Sequence, residues 1–341
     1  MFFSFHANNL KTTTLKAVIS IAVLCLVFYF VPVKDVIGTI IVADPIWIIA
    51  GVLLLISLRV LTALRMQLIA NAQGLDTSFP TMLRIIFTST FYNILAPGAL
   101  AGGAVTYLKY RQQGIEPIAA VANIYANKLI QLLVVLLSAP LFWLIDKDFS
   151  LYLVTGYALI MVLGFSSAFS LFFGRFGNLR WFASKISSHG QSAVHQALTA
   201  LCRQTGKIGQ ISHQTIFSLV IYSLMHSFFA ALSILCFGMG LNIEVGLVSV
   251  LWIYSVIYLL GMLPISISNI GVREASMIVL LAPYDVSMTE ATTWSILMYS
   301  GQLSSAIIGL LMEAENLWLR KNTHRQAVVN NMVSQGDSDD G

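Results

Sequence analysis

The stretch Leu263-Pro264-Ile265-Ser266-Ile267-Ser268-Asn269-Ile270-Gly271-Val272-Arg273-Glu274 lies between two apolar runs, yet it holds a helix breaker, small polar residues and two opposite charges. Proline removes a backbone donor and stops a helix. In lipid, every freed backbone group needs a partner inside the protein. A broken helix with Arg273 and Glu274 beside the break therefore lines a cavity or a protein interior. A second interruption comes earlier, at Asn93-Ile94-Leu95-Ala96-Pro97-Gly98 followed by Gly102-Gly103. Paired interruptions in the two halves of a chain point to a transporter-type site.

Composition supplies the bilayer that this reasoning needs. Of 341 residues, 57% are hydrophobic and only 10% charged, against about 25% charged in soluble domains. Apolar runs long enough to span recur at about 15–33, 46–68, 117–145, 151–173, 215–239 and 291–312. With the two interrupted units they predict an all-α, polytopic transmembrane helix bundle with two interrupted, re-entrant helical hairpins. A single broken span is the alternative reading of the first interruption. Lys34, Asp35 and Asp44 mark a short loop after the first span, and Arg59 and Arg65 are placed to snorkel to an interface.

Charge placement orients the bundle. Arg84 precedes the first interrupted unit, and Lys109 and Arg111 follow it. No acidic residue lies between Asp148 and Glu244, while Arg175, Arg180, Lys185, Arg203 and Lys207 do. Positive residues stay in the cytoplasm, which places the linker 174–213 there as an interfacial amphipathic helix. Arg320, Lys321 and Arg325 put the C-terminus on the same side. The expectation is one membrane domain over 1–325, with inverted halves at about 15–173 and 214–316, and a disordered cytoplasmic tail over 326–341. Both termini are expected on the cytoplasmic side of the membrane. A net charge of +4 suits an anionic leaflet better than nucleic acid.

The residues that carry chemistry are few. Adjacent Arg273 and Glu274 point different ways on a helix. Glu274 would sit in the first turn of a half-helix, where the dipole favours an anion. Arg273 is then either a phosphate-binding cation or part of a structural ion pair. Lys109, Lys128, Asn127, Asn93 and Asn269 complete the candidate substrate-binding set, and Pro97, Gly98, Gly102, Gly103, Pro264 and Gly271 are the helix-breaking set. Gly98 and Gly102 form a GxxxG packing element. Cys25, Cys202 and Cys236 are too scattered for a disulfide framework or zinc site, and His226 reads as a packed histidine. No catalytic motif, metal cluster or cofactor loop appears. Only Glu274 and Glu116 would tempt a reading as a lipid transferase.

The two interruptions resemble the signatures of the lysylphosphatidylglycerol synthase transmembrane-region family. Phe91-Tyr92-Asn93-Ile94-Leu95-Ala96-Pro97-Gly98 with Gly102-Gly103 is similar to the first. Leu263-Pro264-Ile265-Ser266 with Gly271-Val272-Arg273-Glu274, Glu290-Ala291 and Ile308-Gly309 is similar to the second. The resemblance implies a flippase-like membrane domain that moves a phospholipid or polyprenyl-linked lipid, with anionic headgroups as partners. A role as an accessory subunit, with a protein partner in envelope biosynthesis, is the alternative it leaves open. The chain departs from the family where an acid and an arginine often follow the glycine pair, here Ala104 and Tyr107. It departs again where a Glu-Arg pair is common, here Asn127-Lys128. The aminoacyl-transferase domain of the bifunctional synthases has no counterpart in the sequence.

Overall fold

A computed structural model describes residues 25–95, 101–146, 212–262 and 269–339, with side chains of the last helix described to Glu315. The expected fifth span, the basic linker, and Pro97, Gly98 and Pro264 lie outside the described residues. Residues 25–30 are helical, and the helices that follow are α1 (Val33–Ile41), α2 (Pro45–Ala72), α3 (Phe79–Leu95), α4 (Ala101–Gln112) and α5 (Pro117–Ile145). Then come α6 (His213–Gly240), α7 (Leu247–Met262), α8 (Val272–Leu281), a 3-10 turn at Ala282–Tyr284, and α9 (Met288–Asp339). No strand occurs among the described residues, so the all-α bundle expected from the apolar runs is what the chain forms.

Local chemistry sets the helix ends. Asp44 accepts the Ile46 N–H at 2.8 Å, with Pro45 at the first helical position of α2. Ser212 accepts the Thr215 N–H at 3.2 Å and opens α6. Ser287 and Glu290 cap α9 reciprocally: Ser287 Oγ accepts the Glu290 N–H at 3.2 Å, and Glu290 Oε2 accepts the Ser287 N–H at 2.9 Å.

Segments of α2, α5, α6 and α9 are long and apolar enough to cross a membrane. Their outward faces carry large apolar side chains such as Leu53 (61% exposed), Leu137 (58%) and Leu311 (65%). Such a belt is unstable in water and matches lipid. Inside, Trp294 and Phe237 are fully buried in a core built from α5 to α9. A second core, around Met82, Tyr110 and Ala119, joins α2, α3, α4 and the start of α5.

The interrupted units fold back on themselves. Ser89 meets Thr106 and Met82 meets Tyr110, so α3 and α4 run antiparallel. Trp252 meets Tyr284, and Gly261 lies against Asn269, so α7 and α8 do the same. α9 packs against both α3 and α8. The two pairs open toward opposite ends of the bundle. Arg84, Lys109 and Glu313 lie at one end. Asp44, Gly240, Asp146 and Tyr284 lie at the other, tied by the Asp44 N–H to Gly240 O bond at 2.8 Å and by Tyr284 on Asp146.

Three expectations need correction. The loop expected over Lys34 to Asp44 is mostly helix, α1, because the run from Val33 to Ile41 has an apolar stripe and no proline. The tail expected to lack regular structure continues as helical backbone to Asp339, with no proline after Arg320 to end it. Arg65 does not snorkel: it is only 2% exposed and hydrogen-bonded inside the bundle.

Candidate functional site

Between α2, α3, α4 and α5 lies a polar cleft of about 230 Å³, room for roughly seven waters at about 30 Å³ each. Its walls follow from helix periodicity. Arg59, Thr62 and Met66 recur at helical spacing along α2; Ile86, Ser89, Thr90 and Asn93 do so along α3. Gly103 and Thr106 come from α4, and Asn127 and Lys128 from α5. Thr106 Oγ1 donates to Ser89 Oγ at 2.9 Å across the hairpin. One end is braced by buried polar groups. The Tyr110 hydroxyl donates to Asn123 Oδ1 at 3.0 Å, and Asn123 Nδ2 donates to the Met66 carbonyl at 3.0 Å.

Among the described residues the lining of the cleft holds two cations, Arg59 and Lys128, and no acid. Among the described residues neither cation is paired with a carboxylate. Arg59 Nε and Asn127 Oδ1 are buried atoms without a hydrogen-bond partner among the described residues, and Asn127 is 9% exposed. Buried polar groups left unsatisfied are few in native folds; Lys128, by contrast, is exposed. The lining of the cleft therefore combines cationic and neutral polar groups.

The sequence-predicted residues divide. Asn93, Gly103, Asn127 and Lys128 come together in the cleft. Gly102 is in the first turn of α4 beside them. Lys109 is engaged elsewhere: its Nζ lies 2.5 and 2.7 Å from the two carboxylate oxygens of Glu313 on α9, and the Tyr92 hydroxyl also approaches Glu313, at 3.4 Å. Arg59 escaped the sequence reading because an arginine at that point of a span looks like an interfacial anchor. The only signal that could have found it is its helical spacing with Thr62 and Met66.

Arg273 and Glu274 do not line the cleft; they lock α8 onto α9. Gly271 has φ +83°, a conformation open to glycine, and its N–H donates to Glu274 Oε2 at 2.7 Å. Ser295 on α9 accepts from Arg273 Nε and donates to Glu274 Oε1, both at 3.1 Å. Arg273 Nη2 lies 3.5 Å from Glu274 Oε1, and its guanidinium stacks 3.5 Å above the Tyr299 ring. Adjacent helical residues thus do share a partner, because the first turn of α8 lies against a serine that reaches both. Asn269, with φ +62°, turns the chain against Gly261.

Among the described residues, four segments long and apolar enough to cross a membrane, two antiparallel helix pairs and a cation-lined cleft mark a helical membrane protein. The chain belongs to the lysylphosphatidylglycerol synthase TM region family, whose family model matches residues 14–303. No curated protein matches it.

Proposed function

We propose that this protein is a lipid translocase that moves an anionic phospholipid or polyprenyl-linked lipid across a bacterial inner membrane. Membership of a lipid-related membrane family supports the class. The observation that carries the reading is the cleft, where Arg59, Lys128 and the unpartnered Asn127 Oδ1 face polar space with no acid in the lining. In this reading both antiparallel pairs are re-entrant. α3–α4 enters from the cytoplasmic, basic end and α7–α8 from the opposite side. The headgroup phosphate leaves water and is met by fixed donors on Arg59 and Lys128, while the Asn127 carbonyl oxygen accepts a headgroup hydroxyl or ammonium proton. The acyl chains stay against the exposed apolar faces. Fixed donors in a low-dielectric cleft stabilise an anion more than the same donors in water, so the crossing barrier falls.

The test is headgroup-labelled phosphatidylglycerol in proteoliposomes, with dithionite added outside. Active protein lets the inner-leaflet label reach the quencher. Fluorescence that stays at the level of protein-free vesicles, for every anionic lipid tried, overturns the reading.

A further inference from the structure

Arg65 is the deepest charge on α2. It is 2% exposed; its Nη1 donates to Gln131 Oε1 and, at 2.9 Å, to Ser223 Oγ. Its Nε is buried with no hydrogen-bond partner, and among the described residues no carboxylate pairs with it. Neutral acceptors alone leave a full positive charge uncompensated inside the bundle, which is expensive. The arrangement adjoins the cleft. Gln131 lies one turn beyond Asn127 on the same face of α5, and Met66, next to Arg65, lines the cleft. Arg59 and Arg65 are six residues apart, a rise of about 9 Å along the helix, and His226 interacts electrostatically with both. Tyr254 and Tyr258 lie within electrostatic range of Arg65 on its α7 side.

The geometry points to a ligand with at least two negative charges, a phosphate monoester or diphosphate headgroup, one charge held by Arg59 and Lys128 and the other drawn toward Arg65. This rests on the translocase reading for the lipid character of the ligand, and it deepens that reading by naming the headgroup charge. A phosphodiester supplies one negative charge. A phosphate monoester carries about −1.5 to −2 at pH 7 and can satisfy a second cation. Ser223, Ser227 and Gln131 hold Arg65 in place through the Gln131 Nε2 to Ser227 Oγ bond at 2.9 Å, so the charge is positioned before a ligand arrives.

The experiment compares phosphatidic acid with phosphatidylmethanol, which has the same tails and one charge fewer, by native mass spectrometry of the full chain in detergent. Wild type is expected to bind phosphatidic acid about tenfold more tightly, the effect of one further charge-assisted contact. Arg65→Gln should lose the preference, and Arg65→Lys should restore part of it. Equal wild-type affinities for the two lipids overturn the proposal, and this comparison needs no variant to fold. Retention of the preference in a folded Arg65→Gln overturns it as well. So does inorganic phosphate that displaces phosphatidic acid at equal concentration, which would assign the site to a free anion. A preserved lipid preference with no transport in vesicles would sink the translocase reading and leave the charge assignment standing.

Discussion

Lys109 Nζ sits 2.5 Å from Glu313 Oε2, a contact between residues 204 positions apart that fastens the basic mouth of the α3–α4 hairpin to α9. The side chains are 18% and 11% exposed, so the pair is largely desolvated, unlike the open Arg84–Glu315 contact at the same end. Removing one partner strands a charge. Glu313→Gln should lower stability by about 3 kcal/mol, whereas the double change Lys109→Met with Glu313→Leu should recover most of it. Thermal unfolding in detergent checks this; a harmless single change would show the pair to be incidental.

Gly309 carries the close approach of α9 to α3. A Cβ there would overlap the Phe87 carbonyl oxygen, a backbone atom that cannot swing away. Gly309→Ala should destabilise by about 1–3 kcal/mol through forced separation of the helices. An unchanged melting temperature would mean that the two helices are less tightly apposed than described.

The Arg273–Glu274 lock makes a prediction of a different kind. Glu274→Ala removes the acceptor for the Gly271 N–H and leaves Arg273 with only Ser295 and Tyr299. The expected loss is about 3 kcal/mol of stability, and Tyr299→Leu should cost about 0.5–2 kcal/mol. Neither change should alter which lipid the folded protein binds, as read by native mass spectrometry. A shift in lipid preference would return Arg273 to the binding site.

At the opposite end, the Asp146 carboxylate accepts from Tyr284 OH at 2.6 Å and from Trp252 Nε1 at 2.7 Å. Burial, followed by the bond to Asp146, raises the Tyr284 phenol from its ordinary 10.0 to about 12. The folded state therefore holds this proton more tightly than the unfolded chain does. Its stabilising contribution is complete below pH 10 and is lost as pH rises toward 12. Tyr284→Phe should cost about 1–3 kcal/mol at neutral pH and flatten the alkaline part of the stability profile. Stability curves of variant and wild type that stay parallel from neutral pH to 12 would contradict the assignment.

Much of this architecture is written locally. Apolar runs gave α2, α5 and α6 nearly to their ends, since length and hydropathy largely decide a span. The breaks around Pro97 and Pro264 fall between α3 and α4 and between α7 and α8, and each of these helix pairs runs antiparallel. The site was only half legible. Asn93, Gly103, Asn127 and Lys128 share the cleft because each lies on a face that its helix turns inward. The pairing of Lys109 was not legible because its partner, Glu313, is remote in sequence. Arg59 and Arg65 were misjudged because a charge in a span looks the same whether it snorkels or is buried; only neighbouring helices decide which. Arg273 read equally as a phosphate ligand or as part of a structural ion pair, because Ser295 and Tyr299, which hold it, are on another helix.

The most direct measurement of the central claim is the transport rate of labelled anionic lipid through proteoliposomes carrying Arg59→Gln, set beside wild type and Leu53→Ala on the lipid-facing side of the same helix. The account predicts a fall of about tenfold or more for Arg59→Gln and a wild-type rate for Leu53→Ala. A folded Arg59→Gln protein that transports as fast as wild type would contradict it.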